Sequence, residues 1–476
     1  MSSERDITAT SRGLIERNTI GPVPADERNG SALGLVGIWL GVNMLPLTVV
    51  TGGLATTLFA LPFWWGVLAI VLGNVIGGVL MALHASQGPS LGVPQMLQAR
   101  GQFGSRGAAL IVVVATVMFM GFYISNLVVG SQSLSSVFPS ISTNAAIGLA
   151  LVVSMGVMVI GLRLIKLLLT VSAIVIGTLV VLALAKIVSD GVPASVLQQG
   201  GLTATGFFSM LAVGAVWQIA YAPYVSDYSR YLPAGVGSRS AFWGTFAGSL
   251  LSGVLMMAFG ALLGALSSTG DPILGIDETT GSLATTILMA FALSSMLGNA
   301  GNVYCATLTT LTLVENVRPG WIPRARGRLV TSFALLLLGA AVALVATDNF
   351  LADFTSFITI LLYVLIPWSA INLIDYFLIR HGSYDVASFF ERDGGRYGQW
   401  NIVALAVYAV GLAVQVPFAV LPQYVGPVAT SLHGVDLAWV VGLVVSGGLY
   451  YAVAARGRDT STLSGAHRPF DELAAN

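Results

Sequence analysis

The sequence predicts an all-α integral membrane protein of twelve transmembrane helices, on three observations: the scarcity of charge, the length of the uncharged stretches and the placement of the basic residues. Of 476 residues, 55% are hydrophobic and 9% charged, against roughly a quarter charged in a soluble domain. Between Arg28 and Arg100 the one ionisable side chain is His84. At about 1.5 Å rise per residue, that stretch holds two helical crossings and a turn. Continuing to the C-terminus, apolar segments place spans at 31–59, 62–86, 107–134, 144–162, 165–187, 203–224, 239–266, 283–313, 328–347, 352–379, 400–420 and 436–455.

With a cytoplasmic N-terminus, 20 of the 21 Lys and Arg residues fall on the inner side. They lie in the N-terminal tail, in the connections carrying Arg100 and Arg106, Arg163 and Lys166, Arg230 and Arg239, in the arginines at 318, 324, 326 and 328, in Arg380, Arg392 and Arg396, and in the tail after Arg456. Lys186 alone faces outward, among Asp190, Asp271, Asp277, Glu278, Asp348 and Asp436. This bias is the one that orients membrane helices, so both termini are expected in the cytoplasm and the protein in the cell membrane. The polar first 30 residues contain no apolar stretch of a signal peptide, so span one serves as the insertion signal. A formal net charge of zero offers nucleic acid no basic surface. Cys305 stands alone, which excludes a disulfide framework and a cysteine metal site. No HExxH, P-loop or Ser-His-Asp order is present, which argues against a membrane enzyme.

Two spans carry helix-breaking signals. Span one reads Gly41-Val42-Asn43-Met44-Leu45-Pro46, and span six reads Gly214-Ala215-Val216-Trp217-Gln218 with Pro223 beyond. The breaks lie five spans apart, so the halves holding them have opposite orientations, the pattern of an inverted-repeat transporter. Channels also contain such breaks, so other residues must discriminate. Amides cluster inside the spans: Asn43 in span one, Asn126 one turn after Phe122 in span three, Gln218 beside Trp217 in span six, and Asn299 and Asn302 in span eight. A single buried amide usually serves helix packing, but amides from four helices point to a ligand. A site of amides and aromatic faces without charged groups suits a flat, neutral, multiply hydrogen-bonding molecule such as a nucleobase. Trp64, Trp65, Trp243, Trp400 and Trp439 start spans, where an interfacial belt accounts for them.

Several stretches resemble the purine-cytosine permease branch of the nucleobase-cation symporter-1 family. They are Glu16 to Pro24 with Glu27-Arg28, Gly92-Val93-Pro94-Gln95-Met96, Arg100 with Phe103-Gly104, Ser226-Asp227-Tyr228-Ser229-Arg230-Tyr231, and Pro367 to Phe377. The resemblance implies a LeuT-type fold of five plus five helices with two peripheral ones. Its units would be a cytoplasmic tail (1–30), a first five-helix repeat (31–187), an inverted second repeat (203–379), two peripheral helices (400–455) and a C-terminal tail (456–476). It also implies import of a nucleobase such as cytosine, adenine, guanine or hypoxanthine with sodium or a proton, and no organic cofactor. Allantoin, hydantoins, uracil and vitamins are the alternatives within the family.

Matched by motif, Phe122, Asn126, Asn302 and Trp217 take the family's substrate contacts, with Val216 and Gln218 as alternatives to Trp217. The adjacent hydroxyls that complete a sodium site in related members correspond here to Gly298 and Asn299. A cation would therefore rely on Asn299 and on the backbone oxygens of Gly41, Met44 and Leu45, since hard cations take oxygen ligands. Proton coupling would instead need a titratable group, and His84, Asp227, Glu315 and Asp353 are the candidates. No obligate protein partner is indicated. The segment from Arg380 to Gln399 is expected to be a solvated loop.

Overall fold

The computed structural model describes residues 21–160, 162–317, 325–346, 350–391 and 393–456. The expectations for Glu16 to Ile20, Arg318, Arg324, Asp348, Arg392, Arg458 and Arg468 fall outside the described residues.

Helix α1 (Ala32–Val42) starts where the Ser31 hydroxyl accepts the Gly34 amide, capping an otherwise unsatisfied donor. It stops at Asn43, and α2 (Pro46–Gly53) resumes with Pro46 in its first turn, where a missing N–H costs no helical bond. The two segments bend by 65°, so the break expected in span one is present. Pro62 precedes α3 (Phe63–Ala85). Short α4 (Gly88–Leu91) ends in Gly92 at φ 68°, and a Cβ there would strike the Arg28 guanidinium. Helix α5 (Gln95–Phe103) lies before the long α6 (Ala108–Val137). The first half closes with α7 (Thr143–Ile160), α8 (Leu162–Asp190) and α9 (Ala194–Leu197).

The second half opens with α10 (Ala204–Ile219), capped by Thr203, then a 3-10 turn at Ala222–Tyr224 and α11 (Val225–Ser229). There follow α12 (Gly237–Leu266), α13 (Pro272–Thr280), α14 (Ala284–Val317), α15 (Ala325–Val345) and α16 (Phe350–Ile374). After α17 (Ile402–Ala413) come a hairpin of β1 (Val420–Leu421) and β2 (Tyr424–Val425), then α18 (Pro427–Ser431) and α19 (Ala438–Arg456). Among the described residues nine helices are long and apolar enough to cross a membrane, or ten with the bent pair as one span. Two shorter apolar helices, Thr143–Met158 and Ile402–Phe418, lie where spans four and eleven are expected. Large apolar side chains such as Val117, Ile174, Leu251 and Val444 project outward, as lipid contact requires.

Four details differ from the sequence reading. Span six is helical through Gly214, and its break comes later, between Ile219 and Ala222, where Pro223 withholds a donor. Gly214 is a packing residue instead: its Cβ would lie 3.1 Å from the Ile70 carbonyl oxygen. Trp439 is 6% exposed and belongs to the core, unlike the other span-starting tryptophans. Within the described part of the Arg380–Gln399 segment, Tyr384 and Phe389 are buried in a small core with Leu91, Val93, Leu97 and Tyr376, so it is not wholly solvated. Burial, reinforced by the Asp375 carboxylate, raises the Tyr384 phenol well above its ordinary pKa.

Glycines bring backbones together in one group of helices. A Cβ on Gly52 would lie 2.0 Å from the Met257 carbonyl oxygen, and one on Gly260 1.8 Å from that of Val49, so α2 and α12 touch reciprocally. Gly73 and Gly77 meet the carbonyls of Leu211 and Ala215 in the same manner, joining α3 to α10. Gly244 and Gly248 seat α12 on α1. A second group centres on α6 and α14, where a Cβ on Gly130 would come within 2.3 Å of the Ser295 Cβ. Gly52→Ala should therefore lower the unfolding midpoint of detergent-purified protein, since backbone on both sides leaves nothing to yield. Gly448→Ala, with open space around the new methyl, is the control and should leave the melt unchanged.

Candidate functional site

At the α1–α2 break the Asn43 side chain, fully buried, spends its whole hydrogen-bonding capacity inside the protein. Its Nδ2 donates to the Ser249 carbonyl (3.2 Å) and the Ser252 hydroxyl (2.9 Å) of α12. Its Oδ1 accepts from Trp217 Nε1 and from the Tyr221 hydroxyl, both at 2.7 Å. Gln218 is used in the same way: Nε2 donates to Asn74 Oδ1 at 2.7 Å and Oε1 accepts from the Ser249 hydroxyl. Gly253 leaves room for this cluster, since its Cβ would lie 2.9 Å from both Asn74 Oδ1 and Gln218 Nε2. Asn43 and Gln218 thus fix the broken helix to α3, α10 and α12 and orient the Trp217 indole.

Across from them the polar groups are left over. Asn126, 3% exposed, has an unpartnered Oδ1, and Asn299, 1% exposed, has neither Oδ1 nor Nδ2 partnered. The hydroxyls of Ser131 and Ser295, near the α6–α14 contact, are also buried without partners. Leaving such groups unpaired costs about 1 to 3 kcal/mol each, so the arrangement is poised for a ligand that completes them. Phe122 presents its ring edge-on to Trp217 (5.7 Å, 89°) and to Phe357 of α16 (5.6 Å, 78°), closing the space between the two helix groups. Asn302, three residues beyond Asn299 on the same face, is half-buried.

The carbonyls of the break are partly engaged: Gly41 O accepts from Met44 N, Asn43 O from Leu45 N, and Leu45 O from Thr48 N. A Cβ on Gly298 would lie 3.4 Å from the Leu45 side chain, so α14 faces the break where Asn299 sits. Among the described residues no three His, Cys, Asp or Glu side chains gather as a metal site.

The titratable candidates are dispersed. His84 is fully buried at the end of α3, with Nδ1 2.8 Å from the Leu80 carbonyl and its ring stacked on Trp368 at 4.9 Å. Asp227 accepts the Gln95 amide at 3.0 Å. Glu315 pairs with Arg100, whose Nη1 also donates to the Phe389 carbonyl at 2.6 Å. Asp353 is exposed in the first turn of α16, where a carboxylate suits the helix dipole. The first three border a buried polar layer that seals one end of the bundle. In it Gln87 accepts from Gln95 and donates to Asn372, Asn372 donates to Gln102, and Gln102 donates to Tyr384. Neither this layer nor Asn74, Ser249 and Ser252 is in the sequence reading. Their signals were available: an amide in mid-span two, and Gln95, Gln98 and Gln102 along one helical face.

A bundle with a broken helix and buried, unpartnered amides suits the carriage of a polar ligand, and the family and relatives it matches are permeases, so the protein is a transporter and not an enzyme. Residues 22–442 match the family described as permeases for cytosine/purines, uracil, thiamine and allantoin, and the chain belongs to that family, nucleobase-cation-symport-1. It is 34% identical to a putative purine-cytosine permease, YxlA, of Bacillus subtilis, over 92% of this chain and 96% of the relative. It is 26% identical to a purine-cytosine permease of Emericella nidulans, over 90% and 86%. In fold it is similar to Mhp1, a transporter of the same family with bromovinylhydantoin bound in a closed conformation. The TM-score is 0.73 at 19% identity, covering 93% of this chain and 96% of Mhp1.

Proposed function

We propose that the protein is a secondary active transporter that imports a nucleobase, cytosine or a purine, by cation symport with alternating access. The observation that carries this reading is the set of buried, unpartnered amide atoms of Asn299 and of Asn126, which lies one turn after Phe122, whose ring packs against Trp217. Amides offer a donor and an acceptor side by side to a base edge, while the rings cover its face. The purine-cytosine permeases among the relatives support the same substrate class. Asn302 is proposed to extend the amide row toward the substrate, with Asn43 and Gln218 acting through the orientation of Trp217.

The architecture we infer is twelve spans in two inverted five-helix repeats with two peripheral helices, with both termini cytoplasmic and the protein in the cell membrane. The arginine-rich face sealed by the glutamine layer is then the inner one. Coupling matters because one charge moved through about 100 mV supplies roughly 2.3 kcal/mol, enough for some fifty-fold accumulation of a neutral base. Sodium would use Asn299 with carbonyls of Gly41, Met44 and Leu45. A proton would use one of His84, Asp227, Glu315 or Asp353.

Proteoliposomes given labelled cytosine or hypoxanthine under an inward sodium gradient, an inward proton gradient or neither should accumulate base with one gradient only, and unlabelled base should block it. Equilibration without accumulation under every gradient would refute symport. A second reading, import of another neutral heterocycle, is favoured by 23% identity to a hydantoin permease of Microbacterium maritypicum over 88% of each chain. Competition by hydantoin or allantoin, but by neither base, would select it.

A further inference from the structure

A cavity of about 230 Å³ lies next to the seam but outside the amide pair. Its floor is Val213 and Val216 of α10, the latter adjoining Trp217, and its roof is the β1 end of the hairpin. The turn between α2 and α3 contributes Phe59, α16 one flank, and Asp436 a further wall. The space is many times what one water occupies, more than a bare ion needs.

The polar side chains of the cavity are Thr355, Ser356 and Thr359 of α16, Asp436, and Ser209 on the α10 side. On α16 the hydroxyls of Thr355, Ser356 and Thr359 each donate their proton to their own helix, to the carbonyls of Leu351 (2.7 Å), Ala352 (2.9 Å) and Thr355 (2.8 Å). What they can turn to the cavity is lone pairs. Asp436, 7% exposed, accepts the Ala438 amide at 2.9 Å on one oxygen and the Tyr363 hydroxyl on the other. Tyr363 in turn accepts the Val420 amide at 3.0 Å, which ties the hairpin to α16. Each carboxylate oxygen retains acceptor capacity. With Ser209 as the one hydroxyl whose proton is not already given to its own helix, the lining is rich in acceptors and holds a carboxylate, which favours ligands rich in N–H groups and disfavours anions.

We propose that this cavity is an outer loading site, in which a flat neutral heterocycle bearing several N–H donors rests before it passes Trp217 to Asn126 and Asn299. The proposal takes its substrate class and its orientation from the transport reading above. It assigns Thr359, Ser356 and Asp436 to recognition on the outer side, and it makes the hairpin the roof of the entry route.

The test uses the full chain in proteoliposomes, with Thr359→Cys and separately Ser356→Cys reacted with a membrane-impermeant methanethiosulfonate. Cys305, the native cysteine, is 2% exposed and contributes little background. Cytosine at ten times its dissociation constant should slow labelling about tenfold by mass action. The slowing should persist when Asn126→Ala and Asn299→Ala disable the central pair, and an anionic base such as orotate should not produce it. Protection that disappears with the central pair would mean the cavity only senses the other site, and the proposal falls. Protection by sodium alone would make it a cation site, with the same result. Failure of the transport reading is visible separately, as absent uptake by the unmodified protein whatever the cysteines report.

Discussion

Alanine at Asn299 should lower kcat/KM for nucleobase uptake by about ten- to a hundredfold, the loss expected when a buried ligand group goes unpaired at 1 to 3 kcal/mol. Asn126→Ala should follow, with a smaller loss because one of its amide atoms is fully buried without a partner where Asn299 has two. Neither variant should melt earlier than the parent, since the missing atoms bond to nothing in the protein. Asn43→Ala should do the reverse, costing stability through four broken intramolecular bonds. Initial-rate uptake and a fluorescence-detected thermal melt on the same preparations separate the two behaviours. Should Asn299→Ala transport like the parent, substrate must sit elsewhere.

The largest effect on folding should come from Glu315. Its carboxylate and the Arg100 guanidinium are both buried, and removing one partner strands the other charge, at about 3 to 5 kcal/mol. Glu315→Ala should therefore express with little monodisperse protein and a markedly lower unfolding midpoint. A double variant, Arg100→Met with Glu315→Leu, should recover much of that loss, because matched apolar side chains remove the desolvation cost together with the attraction. If Glu315→Ala melts like the parent and only its proton-driven uptake fails, the residue carries the coupling proton and not the fold.

Most of the long apolar helices and the α1–α2 break were legible because lipid forces a helical span to be long and apolar and makes Asn-Met-Leu-Pro conspicuous within it. The aromatic and amide residues of the seam were legible for the same reason. What could not be read was the division of labour among the amides. Asn43, Gln218, Asn126 and Asn299 have the same chemistry, and only their neighbours in space determine which are already paired. The interruption of span six was misplaced because glycine serves both to break a helix and to let another backbone approach, and Gly214 does the second. The buried part of the Arg380–Gln399 segment was hidden by its charges, which gave no sign that Tyr384 and Phe389 between them would find an apolar pocket.

The backbone contacts at Gly52, Gly260, Gly73 and Gly77 have a pharmacological consequence. Helices in backbone contact resist sliding past one another, so α2, α3, α10 and α12 form one closely packed group that carries Trp217, while α6 and α14 form another that carries Asn126 and Asn299. If substrate binds between them as proposed, it is gripped only when both groups reach it, and tight binding and closure would be one event. Extending a base on the side that meets Trp217 should then hold the two apart: such a compound would compete for the site and block the cycle without being carried across. Small analogues that satisfy both sides would be cargo, and size at that one edge would decide between inhibitor and substrate.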